Sequence, residues 1–159
     1  MIHTISALVK NRPGVLAEMA GRFGSSQVNI RSISCGETEN PEVSRMVISV
    51  EADDDAVTAI TSDMESLDVV IQVDDLGRKE FVDRELVLAK LTMDRETTTQ
   101  LMQIFEVFRA HVVGMGQETI TVELSGDQER VDGFIQMVAP FGIRSLCRSG
   151  RIALKRGDD

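Results

Sequence analysis

The chain has 159 residues, of which 42 % are hydrophobic and 4 % aromatic, and its formal net charge is −9. This acidic charge opposes binding to nucleic acid or to an anionic membrane surface, and every apolar stretch is shorter than the ~20 residues of a membrane span. We therefore expect a cytoplasmic protein without a nucleic-acid or membrane partner. The length permits one domain or two small ones.

The first half alternates between strand and helix patterns. The predicted elements are, in order, a strand at 2–10, a helix from 15 to about 24, strands at 28–37 and 44–51, a helix that begins after the acidic run 53–55, and a strand at 68–74. This βαββαβ order is typical of a ferredoxin-like domain, in which a four-stranded antiparallel sheet carries both helices on one face.

The second half repeats the order after a short polar segment. Its predicted elements are a strand at 84–93, a helix at 97–109, strands at 111–114 and 119–124, a helix capped by Asp127, and strands at 143–148 and 152–154. We predict an α+β protein with two ferredoxin-like domains in tandem, at residues 1–76 and 84–159, joined by a linker at 77–83.

The loop between the first strand and helix carries the strongest indication of a binding site. Free N–H groups at the start of a helix can receive a carboxylate. Asn11 can cap the helix or bind a ligand, and Gly14 lets a ligand approach the backbone. Asn29 is expected near this loop in a ferredoxin-like sheet, where it could hold an ammonium group. From the pattern alone, an ordinary N-cap with a Pro and Gly turn is the simpler interpretation of the loop, and a turn-forming Asn is an equal alternative at position 29.

Catalytic chemistry finds no support in the sequence. His3 and His111 have no acid or nucleophile at a telling spacing, so we predict no catalytic residue. The run at 53–55 could attract a cation, but helix capping explains it, and Cys35 and Cys147 lack further ligands at zinc-binding spacing. No metal site is predicted.

Several segments resemble a known family. The loop Asn11-Arg12-Pro13-Gly14-Val15-Leu16 followed by Val28-Asn29-Ile30-Arg31-Ser32 resembles the ligand loop of ACT domains, which bind amino acids. The segments at 44–46, 83–86, 104–110 and 148–154 resemble the acetolactate synthase small subunit. The similarity runs along the whole chain. Gly114 departs from that family, where an acidic residue is expected.

The resemblance implies an N-terminal ACT domain and a C-terminal small-subunit domain, in a regulatory subunit rather than an enzyme. Such a subunit stimulates a separate catalytic subunit that converts two pyruvate molecules to 2-acetolactate and CO2, and it confers feedback inhibition by valine on branched-chain amino acid biosynthesis. Thiamine diphosphate, Mg and FAD are expected in that catalytic subunit, and no cofactor in this chain.

The resemblance also implies where the effector binds. In the family, valine, leucine or isoleucine sits between the ACT domains of a homodimer. The positions that match its contacts are Asn11, Gly14, Val15, Leu16, Asn29 and Ile30.

Two rival hypotheses remain open from the sequence. One is a free-standing ACT-type amino-acid sensor that controls a different enzyme or a transcription factor. The other is an enzyme with a ferredoxin-like fold, which would need a cluster of titratable residues in a pocket.

Overall fold

The structure consists of two antiparallel sheets, each of which carries two helices. It is a computed structural model and describes residues 1–158. The chain groups into two compact units. The first unit contains Met1–Val82 and the residues from Arg151 onward, and the second contains Asp83–Gly150. The predicted fold class is confirmed.

The first unit contains the elements β1 (Ile2–Lys10), α1 (Val15–Ser25), β2 (Asn29–Glu37), β3 (Val43–Glu51), α2 (Asp54–Glu65) and β4 (Val70–Asp75), followed by a 3-10 turn at Leu76–Arg78. The strand order is β2-β3-β1-β4, which leaves β2 at an edge of the sheet. Both helices pack their apolar stripes on the same face as the buried side chains of β1 and β3, such as Ile5 and Ile48.

The register of this sheet decides which residues share an end. Lys10 at the end of β1 pairs with Val43 at the start of β3, and Glu51 at the end of β3 pairs with both Ile2 and Asn29. The loop after β1 and the start of β2 therefore lie at opposite ends of the sheet.

The second unit contains most of β5 (Phe81–Thr92) and then α3 (Thr98–Phe108), β6 (His111–Met115), β7 (Thr119–Gly126), α4 (Gln128–Val138), a 3-10 turn at Ala139–Phe141 and β8 (Ile143–Arg148). Its strand order is β6-β7-β5-β8. The apolar core of the unit is built around Phe134, with Phe105 and Phe108 in ring contact. Gly114 lies on β6 opposite Thr121.

Predicted helix caps are confirmed at two helices. Asp53 accepts a hydrogen bond from the Ala56 N–H at 2.8 Å, and Asp127 accepts one from the Arg130 N–H at 2.8 Å. Near the start of α3, Asp94 accepts from the N–H groups of Glu96 and Thr97, each at 2.9 Å. The bond from Thr97 is the main cause of a lowered pKa of the Asp94 carboxyl, because it favours the charged form.

A charged triad joins three elements of the second unit. Arg148 of β8 donates from Nε and Nη2 to the two carboxylate oxygens of Glu85, at 2.6 and 2.9 Å, and Nη2 also donates to Asp132 of α4 at 2.8 Å. The Glu85 side chain is only 5 % exposed. Its carboxylate is the main cause of a raised pKa of Arg148, so the guanidinium stays charged.

The boundaries of the two units differ from the expected domains. Residues 81–83 of the expected linker belong to β5, a continuous strand. The last strand, β9 (Ile152–Lys155), was expected at the end of the second domain; it pairs with β5, but it groups with the first unit. The physical reason is packing, since Ala153 is buried in a cluster with Val47 and Leu76 of the first unit.

Candidate functional site

The loop between β1 and α1 ends in a backbone conformation that suits glycine. Gly14 is the N-cap of α1 with φ 85° and ψ −9°, in the left-handed region. A Cβ at this position would meet no atom within 4 Å, so the space above the loop is open. The loop therefore exposes its backbone where a ligand could reach it.

Asn11 is not the N-cap of α1, which corrects one of the two roles considered for it. Its amide nitrogen donates to Glu37 Oε1 at 3.2 Å and to the carbonyl of Pro41 at 2.9 Å. Its backbone N–H also donates to the carbonyl of Glu42 at 2.8 Å. Both amide hydrogens thus have partners, and the side-chain oxygen is the group of Asn11 left to accept a hydrogen bond.

The start of α1 has open backbone donors. Gly14 provides no side-chain cap, and among the described residues the N–H groups of Leu16 and Ala17 have no hydrogen-bond acceptor. By contrast, α2 and α4 have aspartate caps. Because the partial positive charge of a helix is concentrated at such donors, this end of α1 is suited to a carboxylate.

The two apolar residues that begin α1 have different surroundings. The Leu16 side chain is 46 % exposed, whereas Val15 is 7 % exposed and packs in the core of the unit. Leu16 can offer an aliphatic surface to a ligand. Val15 can contribute only through its backbone.

Asn29 and Ile30 do not join this loop within one chain. Asn29 pairs with Glu51, and Ile30 with Val50, at the far end of the sheet from Lys10 and Asn11. The expectation that Asn29 lies near the loop in the same chain is therefore wrong. The physical reason is the direction of β2, which begins at the end of the sheet where β1 also begins.

A surface cavity of about 400 Å³ opens beside Asn11 and Arg12, next to the hairpin turn between β2 and β3. Gly14 and Leu16 do not line it, and neither do Asn29 and Ile30. The six residues expected to contact an effector thus form no common pocket in a single chain.

Two residues that the sequence did not single out hold the loop in place. Glu37 accepts the hydrogen bond from Asn11, and Asp68 pairs with Arg12 through Nη2 at 3.1 Å. Both partners are remote in sequence, so no local pattern could have indicated them. They fix the loop to the neighbouring hairpin and to the segment before β4.

Comparison with known proteins covers both units. The family model described as "AHAS small subunit-like ACT domain" matches residues 5–72, and the model described as "Small subunit of acetolactate synthase" matches residues 84–157. The chain is 37 % identical to the acetolactate synthase small subunit of Mycobacterium bovis, over 98 % of this chain and 92 % of the relative. It is 36 % identical to that of Mycolicibacterium smegmatis, over 98 % and 91 %.

A solved structure agrees over the full length. The crystal structure of the acetolactate synthase small subunit from Thermotoga maritima superimposes with a TM-score of 0.86 at 31 % identity, covering 100 % of this chain and 99 % of the other. No helix among the described residues is long and apolar enough to cross a membrane.

Proposed function

Since the chain belongs to the family of acetolactate synthase small subunits, we propose that it stimulates a separate catalytic subunit and makes that enzyme sensitive to valine. The catalytic subunit carries out the transferase reaction in the cytoplasm, joining two pyruvate molecules to give 2-acetolactate and CO2. In this proposal thiamine diphosphate, Mg²⁺ and FAD belong to the catalytic subunit. The regulated pathway leads to valine, leucine and isoleucine.

The open N-terminus of α1 is the observation that carries the effector proposal. The N–H groups of Leu16 and Ala17 are free to take the carboxylate of an amino acid, and Gly14 leaves room for its approach. The side-chain oxygen of Asn11 can accept a hydrogen bond from the effector's ammonium group, because the amide hydrogens are already used. The exposed face of Leu16 then suits a small aliphatic side chain.

The remaining two contact residues come, in this proposal, from a second copy of the chain. Strand β2 is an edge strand whose outer N–H and C=O groups can pair with another strand. If two copies pair antiparallel along the whole of β2, Asn29 of one copy lies opposite Glu37 of the other, beside Asn11. Each homodimer would then hold two effector sites, each built from both copies.

This arrangement also provides a route to regulation. An effector bound between two copies stabilises the arrangement of the dimer in which the site is closed around it. The activity of the catalytic subunit changes only if that subunit binds this arrangement more or less tightly than the others. We assign contact with the catalytic subunit to the second unit, which the small-subunit family model matches separately. A free-standing amino-acid sensor would not need a domain of the acetolactate synthase small-subunit type.

Reconstitution tests the proposal. Acetolactate formation is measured for the catalytic subunit alone, with this chain, and with this chain plus valine, and the isolated chain is titrated calorimetrically with valine, leucine, isoleucine and alanine. We expect stimulation by the chain, loss of that activity with valine, and saturable binding of valine but not alanine. A catalytic subunit indifferent to the chain would overturn the regulatory role. Stimulation without any amino-acid response would overturn only the effector role.

A further inference from the structure

The residues that follow the second unit return to the sheet of the first. We call residues 151–156 the C-terminal segment. The Arg151 guanidinium donates from Nη1 to Thr4 of β1, whose side chain is buried, and the Arg151 carbonyl accepts from Ser34 Oγ of β2 at 3.1 Å. The segment is thus hydrogen-bonded to two strands of the first unit.

Apolar contacts fix the same segment. Ala153 is 5 % exposed and packs with Val47 and Leu76, with Phe81 at the margin of the cluster. The Arg151 guanidinium carbon lies 5.5 Å from the Phe81 ring centre, a cation–π distance. Because side chains alternate along a strand, Val47 points away from the face on which Ile48 meets the helices. The segment therefore covers the sheet face opposite α1 and α2.

The chain enters this segment through a fixed turn. Gly150, with φ 79°, lies in the left-handed region that favours glycine. On the other side of the turn, Ser149 and Leu86 exchange hydrogen bonds of 2.9 Å, from the Ser149 N–H to the Leu86 carbonyl and from the Leu86 N–H to Ser149 Oγ. The residues before Gly150 are thus held by the second unit, whereas those after it contact β1, β2 and Val47 of the first unit and pair, as β9, with β5.

We propose that the C-terminal segment transmits effector occupancy from β2 to the second unit. Ser34, which contacts the segment, lies on the strand that carries Asn29 and Ile30. A shift of β2 on effector binding moves Ser34, the donor of the hydrogen bond to the Arg151 carbonyl, and so displaces Arg151. Covalent continuity through Gly150 passes that movement to β8. This inference rests on the proposed function, because it needs an effector at β2 and a catalytic partner that responds.

The inference predicts that binding and inhibition can be separated. Arg151→Ala removes the bond to Thr4 and the contact with Phe81, while leaving every residue of the effector loop in place. Ser34→Ala removes a single hydrogen bond, and it provides a second test of the contact between the segment and the first unit if Arg151→Ala does not fold. The matched control is Arg156→Ala, which removes the same charge from the same segment but leaves the backbone bond from the Arg156 N–H to the Glu80 carbonyl.

The test uses the holoenzyme reconstituted from both subunits. For Arg151→Ala and Ser34→Ala we expect unchanged stimulation, a valine Kd within about threefold of the original, and inhibition at saturating valine weakened about fivefold or more. Arg156→Ala should behave like the unaltered chain. Hydrogen exchange of the small subunit adds a direct readout, since valine should protect amides in residues 83–150 of the unaltered chain but not of Arg151→Ala.

The outcomes separate the two proposals. Full inhibition and unchanged long-range protection in both variants overturn the inference alone, because the unaltered chain still responds to valine. An unaltered chain without any response to a branched-chain amino acid overturns the effector role and this inference with it. Loss of inhibition through loss of valine binding would also count against the segment as a transmitter, since it would then belong to the site.

Discussion

Asn11 and Asn29 stand at opposite ends of the same sheet. Asn11 donates a hydrogen bond to Glu37 at the end of β2, and Asn29 begins that nine-residue strand. At about 3.3 Å per residue, the strand separates the two asparagines by roughly 26 Å. A small amino acid cannot touch both in one chain, so any site that uses both must be completed by a second copy.

Complementation between two defective chains tests that requirement. Gly14→Asp damages the loop, and Asn29→Ala removes the polar group at the other end of the sheet. In a mixed dimer of these variants, one interface site contains both defects and the other contains neither, so we expect about half of the valine-binding capacity at nearly the original affinity. Calorimetry of dimers purified with two different tags measures it. Binding in the mixed dimer no tighter than in the Asn29→Ala homodimer would contradict a site that both copies build together.

Charge at the loop should matter more than bulk. Gly14→Asp places a carboxylate beside that of the effector and should abolish valine binding while leaving stimulation of the catalytic subunit intact. The control is Gly14→Asn, which has nearly the same size, tolerates the left-handed conformation better than most residues, and has no charge. We expect Gly14→Asn to retain substantial affinity. Equal loss in both variants would attribute the effect to the backbone or to bulk, and equal retention would remove the loop from the site.

Asn29→Ala alone should weaken valine binding by about 1 to 3 kcal/mol, the range for a lost polar contact. Asn29 is exposed and has no side-chain partner among the described residues, so its removal should leave the urea midpoint of the chain unchanged. Titration and unfolding of the same preparation separate the two effects. An unaltered valine Kd would exclude Asn29 as a contact.

Asn11 should affect stability as well as binding. Asn11→Ala removes both side-chain bonds from the loop to the hairpin between β2 and β3 and keeps the backbone bond to the Glu42 carbonyl, and we expect a loss of about 1 kcal/mol in the free energy of unfolding. Glu37→Ala removes only one of them and should cost less. Hydrogen exchange at residues 38–43 reports the loosening locally. Unchanged exchange in Asn11→Ala would show that the hairpin does not depend on this amide.

The triad of the second unit makes a separate stability prediction. Arg148→Met leaves the buried Glu85 carboxylate without its main partner and should destabilise the unit by about 3 kcal/mol. Adding Glu85→Gln to Arg148→Met removes the uncompensated charge and should recover part of that loss. Urea unfolding of the two single variants and the double variant completes the cycle. Strictly additive losses would mean that the pair contributes no coupling energy.

Much of the fold follows from local patterns. The aspartates at 53 and 127 precede apolar helical stripes, and both cap helices as predicted. The alternating apolar residues Ile5, Ala7 and Val9 predict β1, and all three pack in the core beneath the helices. These features depend on neighbours within a few residues, which a sequence displays directly.

The site was less predictable because it depends on distant contacts. The sequence pattern favours Asn11 as a helix cap, yet its side-chain amide donates to Glu37 and Pro41, which are 26 and 30 residues away in the chain. The location of Asn29 depends on strand register rather than on its local sequence. The return of Ala153 to Val47 likewise has no local signal, since Ile152–Lys155 looks like any terminal strand.

That return makes the first unit discontinuous along the chain. Residues 151–156 are synthesised only after all of Asp83–Gly150, although they cover the sheet built from residues near the start. Until those residues are available, the sheet face that carries Val47 stays uncovered, and Val47 and Leu76 lack their contact with Ala153. The order of synthesis thus makes completion of the first unit depend on residues that follow the whole of the second unit in the chain.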